Sequence, residues 1–201
     1  MRTEVLARKK AYQKTFKKYG ATPKAMQWKN AESAEIRYRN ITTDVNFENK
    51  SVIDLGCGMG DIIPFIEDKS KNFSYTGVDV VPEFTAIAQK KYPQHSFLVG
   101  DWMELIDEHD IVLCSGVLNN KTFGDQYKYK EKAISLMYKN VREVLAFNMA
   151  GGFPQPKNED KYKVYYVDSQ KILKYCFGLT NKIILKHHYR TKDFTILMFR
   201  R

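Results

Sequence analysis

A short apolar run carries one acid and then breaks into glycines at alternate positions. Residues 52–61 read VIDLGCGMGD, with the acid at Asp54 and glycines at Gly56, Gly58 and Gly60. This pattern predicts a buried strand that turns into a helix, where glycines let the backbone approach a ligand that any Cβ would hold away. A dinucleotide-binding loop has two residues before its third glycine, but here only Met59 intervenes. The spacing therefore predicts a cradle for a small molecule other than NAD.

Three later predicted strands also end in polar residues, which a parallel sheet would bring to the same edge. The second strand ends at Asp79, followed by Val80. A carboxylate at this position can accept hydrogen bonds from both hydroxyls of a ribose. The third ends before Asp101 and Trp102, an acid suited to an exocyclic amine of adenine beside an aromatic cover. The fourth ends at Ser115, before a turn suited to an amino acid moiety. Each acid alone would more commonly be a helix cap, but together they predict a nucleoside site.

The glycine loop and the two acids, over about residues 50–120, resemble the motifs of the class I S-adenosylmethionine-dependent methyltransferases. The resemblance implies that S-adenosylmethionine is the cofactor and that Asp54 orders the glycine loop and the methionine end. It also implies that Asp79 binds the ribose and Asp101 the adenine. The residues predicted to bind the cofactor are Asp54, Gly56, Cys57, Gly58, Gly60, Asp79, Val80, Asp101, Trp102, Ser115 and Arg37.

From residue 50, short β-rich runs alternate with helical stretches, which predicts a parallel sheet with right-handed crossovers. Two late β-rich runs are joined by a connection too short for a parallel crossover, so the last strand is predicted to be antiparallel. The fold class is therefore α/β, a Rossmann-like sheet of seven mostly parallel strands with helices on both faces, as the resemblance also implies. Strands are expected near 51–55, 74–79, 95–99, 110–114, 143–149, 182–188 and 194–200, and helices from Asp61, from Pro82, over 125–140 and near 169–176.

The N-terminal segment predicts an amphipathic helix over Glu4–Tyr19 and a second over Ala31–Asp44. Residues 19–28, Ser33, Arg37 and residues 193–195 carry a weaker resemblance to small bacterial and phage methyltransferases. Arg37 is expected either to pair with the methionine carboxylate or to lie on a solvated helix face. This resemblance implies that residues 1–45 form a helical lid over a core of residues 50–201. The whole of 1–201 is then one methyltransferase domain.

Composition limits the class of protein. The net charge is +10, and residues 1–29 hold nine Lys or Arg and one acid, so the basicity belongs to the N-terminal segment. No signal-like segment or apolar run of about 20 residues occurs, so a cytoplasmic protein without membrane association is expected. The three cysteines, Cys57, Cys114 and Cys176, lack the spacing of a metal site or a disulfide framework and are expected to be reduced. No metal site is predicted.

Catalytic candidates come from the ends of the fifth and sixth predicted strands. Asn148 lies near the end of one, and His188 and Tyr189 lie near the end of the other. Asp193 starts the returning strand close by. An Asp-oriented histidine can accept a proton from an acceptor hydroxyl or amine. Because side chains alternate along a strand, at most one of His187 and His188 should point at the pocket, and His188 is chosen for this role. The alternative is a surface hairpin with solvated polar tips.

The predicted function is transfer of a methyl group from S-adenosylmethionine to an O or N atom of a small molecule. An RNA or DNA methyltransferase is the first alternative, since the basic N-terminal helix could follow phosphates. A non-catalytic regulator that binds S-adenosylmethionine is the second. No Asp-Pro-Pro-aromatic or Asn-Pro-Pro-aromatic motif follows the fourth strand, which disfavours amino-methylation of nucleic acid bases through that motif. The oligomeric state is left open.

Overall fold

A twisted, mostly parallel sheet forms the centre of the molecule. The computed structural model describes residues 2–159 and 163–200, except the side chain of His188. The strands are β1 Lys50–Leu55, β2 Phe73–Asp79, β3 Ser96–Val99, β4 His109–Ser115, β5 Val141–Gly152, β6 Val167–Asp168, β7 Ile183–Arg190 and β8 Asp193–Phe199.

The order of the strands is β3-β2-β1-β4-β5-β8-β7, and the short β6 pairs with β5 beside this path. The five strands β1 to β5 run parallel, while β8 lies antiparallel between β5 and β7. The predicted Rossmann-like sheet and its antiparallel last strand are confirmed, and the predicted total of seven strands misses β6. Because the chain order reverses between β1 and β4, a crevice opens at their carboxyl ends.

Helices cover both faces of this sheet. They are α1 Thr3–Tyr19, α2 Ala31–Thr42, α3 Ile63–Glu67, α4 Pro82–Lys91, α5 Trp102–Leu105, α6 Gln126–Lys139 and α7 Ser169–Phe177. Alternation along β1 sends Ile53 into a core shared with α6 and α7, and Val52 into a second core shared with α2 and α3. Burial on both faces explains why the central strands read as continuous apolar runs.

The glycine loop delays the start of α3. The helix begins at Ile63 rather than at the predicted Asp61, with Pro64 in its first turn. Gly60 has φ +74°, a left-handed conformation that a right-handed helix cannot include. Asp61 caps no helix and instead pairs with Lys91 at 3.2 Å.

The first helix α1 packs its aromatic face onto α4. Tyr12 and Phe16 meet the ring of Phe84 edge-on, at centroid distances of 6.2 and 5.7 Å. The helix ends at Gly20, whose φ of +61° suits a residue without a Cβ. None of the helices in the described part of the chain is both long enough and apolar enough to cross a membrane.

Candidate active site

A cavity lies at the carboxyl ends of β1, β2 and β4, beneath α1 and the segment that follows it. Its empty space is about 1200 Å³, part of it open to solvent. The cavity is bounded above by Val5, Tyr12 and Trp28. Of the residues predicted to bind the cofactor, those that line the cavity are Asp54, Gly56, Cys57, Gly58, Asp79, Val80, Asp101, Trp102 and Ser115.

The glycine loop forms the floor of this cavity in a conformation that side chains disfavour. Gly56 and Gly58 have φ of +79° and +55°. A Cβ on Gly58 would stand 2.5 Å from the sulfur of Met26, and one on Gly56 would stand 2.1 Å from Val117. Both glycines are therefore required by backbone conformation and by the closeness of the cavity walls.

Asp79 connects the glycine loop to the end of β2. Its Oδ2 accepts a hydrogen bond from the backbone N–H of Gly58 at 2.9 Å, and its Oδ1 accepts one from Val81 at 2.9 Å. Burial raises the pKa of the Asp79 carboxyl to about 6, against the opposing effect of these backbone bonds. Each carboxylate oxygen has a second lone pair, which leaves acceptor capacity for a ligand hydroxyl.

Asp54 is the buried acid of the site. Its Oδ2 accepts a hydrogen bond from the hydroxyl of Tyr75 at 2.8 Å, while its Oδ1 is buried with no hydrogen-bond partner among the described residues. Burial raises the pKa of this carboxyl to about 7, although the bond from Tyr75 acts in the opposite direction. A buried carboxylate oxygen without a partner in a ligand-sized cavity favours binding of a cation.

Asp101 is held by a residue from the N-terminal end of the chain, Arg2. It caps α5 through the N–H of Met103 at 3.1 Å and accepts two bonds from the guanidinium of Arg2, at 2.8 and 2.9 Å. The adjacent Trp102 is 5% exposed and lines the same wall. The acid predicted to bind adenine therefore lies in the cavity but already has a charged partner.

Asn148 supports the loop after β4 from below. Its Oδ1 accepts a bond from the N–H of Gly116 at 2.8 Å, and its amide nitrogen donates to the hydroxyl of Ser115 at 3.0 Å. Gly116 is in turn covered by Trp28, because a Cβ there would stand 2.8 Å from the indole ring. Asn148 is 1% exposed and does not line the cavity, so it fixes the loop that does.

Other predicted site residues lie outside the cavity lining. Gly60 packs against the ring of Tyr92. The guanidinium of Arg37 donates to the carboxylate of Asp193 at 2.7 and 2.9 Å and lies 4.8 Å from the ring centre of Trp28. Asp193 also forms an ion pair with Arg190 at 3.1 Å, so its charge is already paired on two sides.

Two further catalytic candidates lie on β7. The hydroxyl of Tyr189 bonds to that of Thr195 at 2.9 Å, and burial raises the pKa of Tyr189 to about 12. The side chain of His188 lies outside the described part of the structure. Tyr189 is not among the residues that line the cavity. The catalytic roles of His188, Tyr189, Asp193 and Asn148 stay predictions.

Sequence reasoning missed the residues that α1 and the next turn bring to the site. Arg2, Arg8 and Tyr12 line the cavity from α1 and its start, and Met26 and Trp28 line it from the following turn. The aromatic face of α1 signals a packed surface, but nothing in the local sequence shows which part of the sheet that face covers.

A family model and two relatives were found by comparison with known proteins. Residues 52–145 match the family described as a methyltransferase domain. This stretch of the chain is therefore similar to a methyltransferase domain. A Mycobacterium tuberculosis protein with a provisional methyltransferase name is 26% identical over 153 residues, which cover 74% of this chain and 92% of that protein. A similarly named protein of Invertebrate iridescent virus 6 is 34% identical over 88 residues, covering 42% of this chain and 33% of that protein.

Solved methyltransferase structures share the fold of the domain. The DhpI complex with S-adenosylhomocysteine (SAH) superposes with a TM-score of 0.70 at 13% identity, covering 100% of this chain and 98% of that one. Magnesium protoporphyrin IX methyltransferase from Synechocystis, with bound S-adenosylmethionine, gives a TM-score of 0.63 at 19% identity, covering 85% and 79%. Haemonchus contortus phosphoethanolamine N-methyltransferase superposes with a TM-score of 0.68 at 14% identity, covering 97% of this chain and 49% of that one. The matched domain and this shared fold together confirm the prediction of a methyltransferase, and with it of an enzyme.

Proposed function

We propose that this methyltransferase transfers the methyl group of S-adenosylmethionine to an O or N atom of a small molecule. The observation that carries the proposal is the covered cavity. The aromatic side chains of Tyr12 and Trp28 cover this cavity, which suits a small acceptor, whereas a folded polymer would need an open groove. The neighbours that act on a porphyrin and on phosphoethanolamine support an acceptor of this size.

The residues of the cavity fit the cofactor. The unpartnered Oδ1 of Asp54 suits the positively charged methionine end, and the glycine loop gives the close approach that its backbone needs. Asp79 has lone pairs left for the ribose hydroxyls, and Trp102 supplies an aromatic wall for the adenine. S-adenosylmethionine supplies the electrophilic methyl group, and the chain supplies the alignment.

The chain acts in this reaction mainly by positioning. Methyl transfer from a sulfonium is an in-line displacement that depends on the alignment of the acceptor lone pair. No histidine lines the cavity among the residues that the structure describes. Asn148 contributes by fixing the backbone at Ser115 and Gly116 beneath the ligand. The role of His188 as acceptor of a released proton stays a prediction.

We also propose that residues 1–45 act as a lid. Arg2 reaches Asp101 and Tyr12 reaches Phe84, so α1 crosses the cavity above the predicted cofactor. Hydrogen exchange of residues 12–38 should slow when S-adenosylmethionine binds. Equal exchange with and without the cofactor would count against a lid.

Calorimetry of cofactor binding tests the function. We expect a dissociation constant in the micromolar range, which corresponds to a binding free energy of about −7 to −8 kcal/mol. Asp79→Ala and Gly58→Val should each weaken binding by about tenfold or more, since one removes an acceptor and the other fills the cradle. Asp61→Ala, which removes an exposed pair with Lys91, is the matched control. If both folded site variants bind like the parent, the cofactor site lies elsewhere.

Turnover separates the enzyme from the non-catalytic regulator. Incubation with S-adenosylmethionine and a library of small hydroxyl and amine acceptors should release SAH. Binding of the cofactor with no release for any acceptor would favour the regulator.

A further inference from the structure

Positive charge without a partner collects beside the cavity, at the junction of α1 and α6. Arg8 lines the cavity from α1, and its Nη2 is buried with no hydrogen-bond partner among the described residues. Its Nη1 donates only a long bond of 3.3 Å to the hydroxyl of Tyr129. Lys130 on α6 is fully buried, and its Nζ also has no hydrogen-bond partner there.

These two cations interact with each other. Burial lowers the pKa of Lys130 to about 8, and the charge of Arg8 adds to this shift. The ammonium of Lys130 lies 5.4 Å from the ring centre of Tyr165, next to Val164 in the cavity wall. Two like charges held near each other with little water are unfavourable unless an anion joins them.

The acids of the cavity make their hydrogen bonds and ion pairs with groups other than Arg8 and Lys130. Asp101 pairs with Arg2, and Asp79 accepts from the backbone of the glycine loop. Asp54 accepts from Tyr75 on the far side of the loop. No described carboxylate lies within ion-pair distance of Arg8 or Lys130. The positive charge that lacks a carboxylate partner is therefore confined to one wall of the cavity. This wall is separate from the glycine loop.

We propose that the methyl acceptor is an anion, an organic carboxylate or phosphate ester, whose charged group binds Arg8 with Lys130 behind it. This assignment rests on the proposed methyl transfer and names the acceptor class for the same cavity. Arg8 can give a charge-assisted hydrogen bond from its free Nη2. Lys130 adds an attractive field, which is strong because the surroundings are apolar. The aromatic side chains that line the cavity would hold the organic part.

A buried hydroxyl in the loop before α6 also lacks a hydrogen-bond partner among the described residues. The Oγ1 of Thr122, in the loop before α6, is buried without a hydrogen-bond partner in the described part of the chain. The backbone N–H of Thr122 donates a hydrogen bond to the side-chain oxygen of Gln126. The backbone of this loop is therefore fixed, while the hydroxyl of Thr122 is unpaired. A hydroxyl donor, a guanidinium and an ammonium are the groups that an oxyanion uses in proteins.

The binding of small anions to the SAH-loaded protein tests this inference without any turnover. The probes are benzoate, phenyl phosphate and their neutral analogue benzyl alcohol, titrated by calorimetry or by ligand-observed NMR. We expect at least one anion to bind, benzyl alcohol to bind more weakly by about tenfold or more, and the stronger of the two anions to identify a carboxylate or a phosphate. Equal binding of the anions and benzyl alcohol would overturn the inference.

Two variants and their matched controls locate the anion. Arg8→Met and Lys130→Met should each weaken the bound anion by about tenfold or more. Lys10→Met and Lys128→Met remove exposed lysines from the same two helices and should leave it unchanged. Unchanged anion affinity in both Arg8→Met and Lys130→Met would refute the site.

The two proposals fail in different ways. A parent protein that does not bind SAH contradicts the proposed function itself. A parent that binds SAH but no anion contradicts only the acceptor class. If Arg8→Met lowers the affinity for SAH as much as for the anion, Arg8 belongs to the cofactor and the inference is overturned.

Discussion

At the scale of single residues, Asp54 should make cofactor affinity depend on pH. Its carboxyl is 3% exposed, and burial raises its pKa to about 7. A cation prefers the ionised form, so affinity for S-adenosylmethionine should rise with pH as Asp54 loses its proton. From pH 6 to 7.5 the ionised fraction grows about eightfold, and apparent affinity should follow it.

Asp54→Asn gives the control for this prediction, because its charge is constant. Calorimetry across the same pH range should show a nearly flat affinity for the variant, with any remaining slope assigned to Asp79, whose pKa is about 6. The pH range ends at 7.5 because the α-amino group of the cofactor has a pKa of about 8 and would begin to lose its proton above this limit. Parallel slopes for parent and variant would contradict a role for Asp54.

The same acid affects folding in the opposite sense. Because the folded-state pKa of Asp54 is raised above its usual value, its carboxyl favours the folded state at low pH, and that contribution is lost as pH rises toward 7. A bound cation would offset this loss. The residue is thus unfavourable for stability at neutral pH in the free protein, as buried acids of binding sites commonly are.

Lys130 provides a second prediction at this scale. Its pKa is lowered from 10.5 to about 8 by burial and then by the charge of Arg8. The unfolded chain therefore binds the proton more tightly than the folded chain, and the free energy of unfolding should rise as pH increases from about 8 to 10.5. Lys130→Met should raise the free energy of unfolding at pH 7 by on the order of 3 kcal/mol.

Urea denaturation of parent and variant at several pH values measures this effect. The difference between Lys130→Met and the parent should be constant below pH 8 and shrink above it. Lys128→Met, on the exposed side of the same helix, should differ little from the parent at any pH. A destabilised Lys130→Met protein would mean that the ammonium has a stabilising partner.

At the scale of elements, the ion pair of Arg37 with Asp193 ties α2 to the hairpin of β7 and β8. Both side chains are largely buried, and the Nε of Arg37 already lacks a partner among the described residues. Burial raises the pKa of Asp193 despite the nearby guanidinium, so desolvation outweighs attraction. Removing one partner leaves the other charge buried and unpaired.

Asp193→Ala should therefore lower the free energy of unfolding by about 3–5 kcal/mol. The double variant Arg37→Met with Asp193→Ala should recover a large part of this loss, since the orphaned charge is then gone as well. Asp61→Ala removes an exposed pair and should change stability by less than about 1 kcal/mol. Equal stabilities of the single and double variants would show that water satisfies the guanidinium of Arg37 once Asp193 is gone.

Helices and strands could be predicted from the sequence where apolar residues recur with the period of a helix or a strand. The strands β1, β2 and β4 and the helices α1, α4 and α6 begin or end within a few residues of their predicted positions, because apolar spacing and caps are local signals. The start of α3 was missed because the turn at Gly60 depends on backbone conformation. The pairs of Arg2 with Asp101 and Arg37 with Asp193 join residues 99 and 156 positions apart, and no local pattern encodes them.

At the scale of the whole molecule, the charge distribution separates two surfaces of α1. The side that carries Tyr12 and Phe16 is packed onto the domain, while Lys10, Lys14, Lys17 and Lys18 are exposed on the other side. The arginines that reach the cavity are Arg2 and Arg8, whose charges face the site. The helix and its first residue thus present some cations to the cavity and others to solvent. Only the cations at the cavity, Arg2 and Arg8, are surrounded by other side chains of the site.

The outer cations should not make this protein a nucleic acid methyltransferase. Binding of mixed RNA and DNA, measured by filter retention, should be undetectable near physiological salt and appear only at low salt, where a few lysines release counterions from phosphates. A variant with Lys10, Lys14, Lys17 and Lys18 replaced by glutamine should lose the low-salt binding and keep its affinity for S-adenosylmethionine. Tight binding at physiological salt that disappears in this variant would instead favour a polymer acceptor, because the exposed face of α1 would then guide a strand toward the cavity.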